Sequence, residues 1–179
     1  VGVLCHASAY QSVVSRSTSK QQHQSEGAMR TEFLFKYYVN LGEGLEVGEG
    51  PYGKRLIVEV NGGGFEGENF NGKIRDAGCA DWLTMEDKFG HLDVRATFET
   101  NDGAFIYVQY SGLLELTPAI QEALKTGKGE TEFGDQYFFT HIRMQTGDPR
   151  YDWVNHVLCV GEGRERIGRV EYNVYKIAN

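Results

Sequence analysis

The amino-acid sequence predicts an all-β fold, a single antiparallel β-barrel of about eight to ten strands with one short surface helix. The 179 residues include ten Tyr, ten Phe, two Trp and 23 Gly, a composition that suits short strands and tight turns. Apolar and polar residues alternate with period two along most of the chain. Aromatic residues on both faces of these runs require stacked sheets or a closed one, and the glycines at Gly62-Gly63-Gly64 favour the barrel.

The individual strands follow from this alternation. The first predicted strand, Thr31–Val39, has Phe35 and Tyr37 on one face and Leu34 and Tyr38 on the other, so both faces are covered. The remaining predicted strands are Lys54–Val60, Asn71–Asp76, Gly90–Thr100, Ala104–Leu116, Gln136–Thr146, His156–Gly161 and Gly168–Ile177.

Two local signals connect these strands. Asp102-Gly103 between two alternating runs predicts a tight antiparallel hairpin, because both residues tolerate a positive φ. The segment Pro118–Lys125 predicts the surface helix, with Thr117 as its cap, proline in its first turn and Gly127 beyond its end.

The amino-terminal segment differs from the rest of the chain. Residues 1–29 are interpreted as a signal-peptide remnant and a flexible linker, and residues 30–179 as the β-barrel domain. Ala7-Ser8-Ala9 has the small-x-small pattern that signal peptidase requires, which predicts secretion, with a cytoplasmic protein as the alternative. Cleavage there leaves Cys79 and Cys159, which form either one disulfide or two separate buried thiols.

Charge and spacing exclude several functional classes. A net charge of −7 disfavours nucleic-acid binding, and no apolar run approaches the length of a membrane span. Neither zinc-binding spacings nor a Gly-x-Ser-x-Gly elbow occur, so no metal, cofactor or serine nucleophile is expected. The expected partner is a small aromatic or hydrophobic ligand, and the oligomeric state stays open between a monomer and a homodimer.

Polar side chains on two strands are the first candidates for chemistry. Asp93 and Arg95 share one face of their strand, opposite Leu92 and Val94, and this polar face is either solvated or a cavity wall. Another strand places two aromatic rings, a histidine and an arginine together, which offers stacking, a proton donor and an anion clamp; these residues are Tyr137, Phe139, His141 and Arg143. A purely structural histidine is the alternative there. The loop at Trp153 either closes the barrel mouth against substrate or simply plugs it.

Several short segments together resemble the domain of unknown function 3237 family, also called uncharacterised protein family 0311. The segments are Gly63-Gly64-Phe65-Glu66-Gly67, Ala80-Asp81-Trp82, Leu92-Asp93-Val94-Arg95, Thr100, Asp102-Gly103-Ala104-Phe105-Ile106-Tyr107-Val108, Tyr137-Phe138, Thr146-Gly147, Tyr151, Trp153, Asn155 and Val160-Gly161-Glu162-Gly163-Arg164. The resemblance implies a single antiparallel β-barrel from Thr31 to Ile177, and cofactor-free ring formation or isomerisation of aromatic natural products. Cys79 and Leu114 depart from the family pattern, and Leu114 puts a shared anion site in doubt.

The function predicted from these observations is that of a cofactor-free acid–base isomerase or cyclase. Its substrate would be an apolar aromatic secondary metabolite, phenolic or prenylated, held inside the barrel. The expected catalytic residues are Asp93 or Asp81 for proton transfer, Arg95 for an oxyanion, and His141 and Tyr107 as a relay. The expected substrate-binding residues are Tyr37, Trp82, Phe139, Arg143, Trp153 and Asn155. The alternative is a non-catalytic binding or carrier barrel, in which Asp93 and Arg95 form only an interior ion pair that fixes the strand register.

Overall fold

A computed structural model describes residues 29–179, which form nine antiparallel strands and two short helices. The strands are β1 (Arg30–Gly50), β2 (Gly53–Gly67), β3 (Asn71–Ile74), β4 (Ala80–Glu86), β5 (Phe89–Thr100), β6 (Phe105–Glu115), β7 (Phe138–Gln145), β8 (Cys159–Arg166) and β9 (Arg169–Ala178). The helices are α1 (Pro118–Thr126) and a 3₁₀ helix (Pro149–His156). The predicted signal-peptide remnant and linker lie outside the described residues, except for Met29.

The strands close into a ring, which confirms the predicted antiparallel β-barrel. Neighbours pair in the order β1, β9, β8, β7, β6, β5, and β1 also pairs with β2. The short strands β3 and β4 both lie between β2 and β5, with β3 on one half of β2 and β4 on the other. The ring is therefore uneven, since two short strands take one position in it.

The predicted turn and helix signals are confirmed by their geometry. Gly103 has a φ of 89°, and its N–H donates to the Thr100 carbonyl at 2.9 Å. Thr117 caps α1 by accepting from the Ile120 N–H at 3.4 Å, and Gly127 ends the helix at a φ of 70°. The predicted surface helix is confirmed, since most residues of α1 are exposed and only Ile120 and Ala123 are buried, at one end of the barrel.

The barrel interior is organised in layers along its axis. At the end covered by the 3₁₀ helix, four phenylalanine rings pack together, namely Phe35, Phe65, Phe70 and Phe98. The middle is a layer of three tyrosines, Tyr37, Tyr110 and Tyr172, which we call the tyrosine layer. The end covered by α1 holds aliphatic side chains and a cavity. The cavity therefore lies in the half of the barrel that the phenylalanine rings do not fill.

Both cysteines of the folded region are separate buried thiols. Cys79 and Cys159 are free, so the structure has the second of the two arrangements that their spacing leaves open. The Cys79 sulfur accepts a hydrogen bond from the Thr97 N–H at 3.3 Å. In the part of the chain that the structure describes, neither helix combines the length and apolarity of a membrane span.

Candidate functional site

A cavity of about 50 Å³ lies inside the barrel between the tyrosine layer and α1. Most of its wall is aliphatic, and α1 contributes Leu124 to this wall. Its polar residues are two carboxylic acids and two phenols, namely Asp81, Glu165, Tyr110 and Tyr172. Ionisable groups in an otherwise apolar enclosure are typical of sites that transfer protons.

Asp81 reaches the cavity because of its position in β4. It lies between Val58 of β2 and Val94 of β5 in the sheet, and it shares the inner face of β4 with Leu83. The Asp93 N–H donates to Asp81 Oδ1 at 3.0 Å. Burial raises the pKa of Asp81 to about 7, against the lowering effects of this hydrogen bond and of the Arg55 charge.

Glu165 enters the same cavity from β8. Cys159, Gly161 and Gly163 precede it on the inner face, and a Cβ at Gly163 would lie only 2.8 Å from the Phe138 ring. Glu165 is 8% exposed, and among the described residues its carboxyl group has no hydrogen bond or ion pair. Burial raises its pKa to about 8. The inward side chain is therefore predominantly protonated at neutral pH.

Tyr110 and Tyr172 of the tyrosine layer line the cavity, and Tyr37 packs against both of them. The Tyr37 and Tyr172 rings stack with centroids 4.6 Å apart, and the Tyr110 ring lies 6.0 Å from Tyr37 and 5.7 Å from Tyr172. Burial raises the pKa of all three phenols, and the nearby Asp81 carboxylate raises the pKa of Tyr110 and Tyr172 further. The Tyr37 hydroxyl is buried without a hydrogen-bond partner in the described structure. These phenols therefore stay neutral and can act as hydrogen-bond donors.

Seven of the predicted site residues lie together, but on the outer face of the barrel. They are Trp82, Asp93, Arg95, Tyr107, Phe139, His141 and Arg143. The expectation that they line an interior cavity is wrong, because their apolar neighbours Leu92, Val94, Val108 and Ile142 occupy the inside. Burying the aliphatic face is favourable, whereas burying the other face would remove its charged groups from water at a large free-energy cost. Whether these residues act on a ligand stays a prediction.

The polar side chains of the outer face interact with their neighbours on that face. Arg95 forms an ion pair with Asp93 at 2.9 Å, and its guanidinium lies 5.0 Å from the centre of the Trp82 ring. Ser111 Oγ lies 3.4 Å from both ring nitrogens of His141. These contacts fit the alternative in which Asp93 and Arg95 pair structurally, on the outside of the sheet rather than within it.

Four predicted residues lie elsewhere. Asp81 lines the cavity, and Tyr37 belongs to the tyrosine layer beneath it. Trp153 packs edge-on against Phe70 at the opposite end, with ring centroids 5.5 Å apart. Asn155 holds the backbone of Thr146, accepting from its N–H at 2.9 Å and donating to its carbonyl at 3.0 Å. Trp153 and Asn155 are therefore distant from the cavity at the α1 end.

Glu165 is not among the predicted site residues, although the sequence carries a signal for it. Arg164 and Arg166 flank it and give the segment the look of a solvated charged run. Both arginines point outward and pair with Glu132, at 2.6 Å and 2.8 Å. The inward face of β8 is marked instead by its two glycines, which alternate in step with Glu165. Within residues 29–179, no group of three or more His, Cys, Asp or Glu side chains is placed to bind a metal.

Comparison with known proteins places the chain in a family. The model of the family described as "Protein of unknown function (DUF3237)" matches residues 29–177. A UPF0311 protein of Rhodopseudomonas palustris (strain TIE-1) is 28% identical over 149 residues, which cover 83% of this chain and 97% of the relative.

Solved structures share the fold. A β-barrel-like protein from Acinetobacter baumannii is 29% identical with a TM-score of 0.72, covering 87% of this chain and 99% of that one. A structure described as an enzyme from Penicillium herquei has a TM-score of 0.63 at 20% identity, covering 86% and 97%, and this likeness concerns the fold alone. The chain has a β-barrel-like fold and belongs to the DUF3237 family.

Proposed function

We propose that this protein is a cofactor-free acid–base catalyst, an isomerase or cyclase that acts on a small apolar aromatic molecule. The observation that carries the proposal is the pair of carboxylic acids, Asp81 and Glu165, in one apolar cavity beside neutral tyrosines. Burial holds their pKa values at about 7 and about 8, close to physiological pH. Catalytic acids and bases work best when their pKa lies near the pH at which they operate.

The two acids divide the work of proton transfer between them. Between pH 7 and pH 8, Asp81 is mostly ionised and can accept a proton, while Glu165 is mostly protonated and can donate one. In closing a ring on a prenylated phenol, Asp81 removes the phenolic proton as the oxygen bonds to an alkene carbon. Glu165 protonates the other alkene carbon, so the product is an isomer of the substrate. The proton then returns from Asp81 to Glu165 through solvent.

The size of the cavity sets a condition on this mechanism. A volume of about 50 Å³ holds one or two water molecules, whereas sites for drug-sized ligands measure about 300–1,000 Å³. Leu124 of α1 lines the cavity and is only half-buried. A ligand therefore enters the cavity only when α1 and its side chains move outward. Only the reacting part of the ligand reaches Asp81 and Glu165, and the rest of the molecule stays outside the cavity.

A non-catalytic carrier is the competing function. A carrier needs the apolar wall and the phenols, but it gains nothing from two acids that lack an ion-pair partner among the described residues, because each buried acid disfavours folding once it must ionise. The same fold in a structure described as an enzyme from Penicillium herquei is an analogy of fold, which does not by itself imply function. The acids are the reason to prefer catalysis.

The pH dependence of the rate tests the proposal. The probes are ring closure of an ortho-prenylated phenol, followed by chromatography, and exchange of the activated protons of β-tetralone in deuterium oxide, followed by NMR. We expect a bell-shaped rate that falls below about pH 7 as Asp81 is protonated and above about pH 8 as Glu165 ionises.

Binding of the same probes separates the two functions. Probes that bind, detected through quenching of intrinsic fluorescence, but react no faster than in buffer at any pH would indicate a carrier. A rate that does not change across this pH range would contradict the assignment of Asp81 and Glu165.

A further inference from the structure

The outer surface of strands β5, β6 and β7, which we call the outer sheet face, carries an unusual amount of exposed apolar area. On or beside it lie five large apolar side chains with 37–57% of their surface exposed, namely Phe105, Tyr107, Leu113, Tyr137 and Phe139. They form two groups, with Leu113, Tyr137 and Phe139 toward one end and Phe105 and Tyr107 toward the other. Exposed apolar groups rimmed by polar residues are typical of sites of association.

On the outer sheet face, β6 carries an apolar side chain toward each end, and charged side chains lie between these two levels. Leu113 pairs with Phe139 in the sheet register and lies toward the α1 end, whereas Tyr107 lies toward the other end. Between them, Asp93 lies beside Ser111, and Arg95 beside Gln109. Asp93 and Arg95 are 42% and 36% exposed, so both remain available to a partner.

We infer that a second copy of this chain packs against the outer sheet face. The two copies are related by a twofold axis that runs parallel to the sheet and perpendicular to its strands, at the level of Tyr110. This axis places β6 antiparallel to β6 of the second copy. Each Gln109 then lies opposite the partner subunit's Ser111. Asp93 then faces the partner subunit's Arg95, and Leu113 faces the partner subunit's Tyr107. The two ion pairs combine into a network of four alternating charges. Along β6 the apolar side chains Leu113 and Tyr107 meet at both ends of the contact, while on β7 Phe139 faces the partner subunit's Gln145.

Charge selects this axis over the other twofold arrangement. Arg95, Gln109 and Arg143 lie at one level across β5, β6 and β7. An axis parallel to the strands would place β5 over the partner's β7 and bring Arg95 to the partner subunit's Arg143. Like charges in direct opposition disfavour an interface strongly, so the perpendicular axis is the complementary one.

A charge swap tests the inference with the full chain. We expect sedimentation equilibrium to show a dimer, and Asp93→Arg to weaken association by at least about 100-fold, because two arginines then face each other. The double variant Asp93→Arg with Arg95→Asp reverses both charges and is expected to restore the dimer. A double variant that associates as weakly as the single variant would overturn the proposed axis.

Apolar variants test the surface independently of charge. Phe139→Glu is expected to produce a monomer with an unchanged circular dichroism spectrum, whereas Ile167→Glu, an exposed residue in the β8–β9 turn, is expected to leave the dimer intact. A wild-type chain that stays monomeric across the micromolar range contradicts the inference. A dimer that responds equally to both variants, or to neither, also contradicts it.

Discussion

Asp81→Asn is expected to lower the rate of ring closure or proton exchange by about 10²–10⁴-fold, the usual contribution of a positioned general base. The change keeps the size of the side chain and an oxygen that can accept the Asp93 N–H, which now lies 3.0 Å from Oδ1. It removes the basic carboxylate. Binding of the aromatic probe is expected to change far less than the rate, because the aliphatic wall of the cavity is retained.

Two further variants make this experiment specific. Asp87→Asn alters an exposed residue in the β4–β5 turn with a φ of 50°, a conformation that asparagine tolerates, and should leave the rate unchanged. Asp93→Asn is expected to lower the rate by less than about tenfold, since it keeps the backbone N–H that donates to Asp81 and removes only a side-chain charge near that residue. If Asp93→Asn abolished turnover and Asp81→Asn did not, the outer face would be the catalytic one.

Glu165→Gln is expected to stabilise the folded protein, and increasingly so as the pH rises. Burial raises the pKa of Glu165 from an ordinary value of 4.5 to about 8. Between these values the unfolded chain loses a proton that the folded chain keeps, so wild-type stability falls as the pH rises through this window. The advantage of the glutamine variant should grow from near zero at about pH 4 to about 4 kcal/mol at about pH 8 and then level off at about 5 kcal/mol.

Urea unfolding at several pH values measures this effect. Glu162→Gln is the matched control, because Glu162 lies on the outer face of the same strand. Its stability difference from wild type is expected to stay within about 0.5 kcal/mol at every pH, as for most surface substitutions. A Glu165→Gln variant whose stability difference does not vary with pH would show that Glu165 is not buried as a neutral acid.

The local structure was predictable from the sequence because short-range rules determine it. Asp102-Gly103, Thr117 and Gly127 adopt the turn and cap geometries that their side chains favour. Strand β4 was not predicted, because the half-buried residues of Ala80–Glu86 show little alternation on their own. Its position between β2 and β5 depends on long-range pairing, which a single sequence does not display.

The candidate site was predictable only in part, because alternation separates two faces without saying which one is inside. The sequence places Asp93 and Arg95 opposite Leu92 and Val94, and the interpretation of the polar face as a cavity wall reversed the true arrangement. The aliphatic face is buried because removing two charges from water has a large free-energy cost, which is avoided when Asp93 and Arg95 stay on the outside. Asp81 was found through the Ala80-Asp81-Trp82 segment, whereas Glu165 was hidden by its two flanking arginines.

The central claim is that Asp81 and Glu165 are acids held near neutral pKa values inside one apolar cavity. The most direct measurement is an NMR titration of isotopically labelled carboxyl carbons in the wild-type chain, with Asp81→Asn and Glu165→Gln used to assign the two signals. We expect midpoints near pH 7 for Asp81 and near pH 8 for Glu165. Midpoints for both groups at their ordinary values of 3.8 and 4.5 would contradict the account.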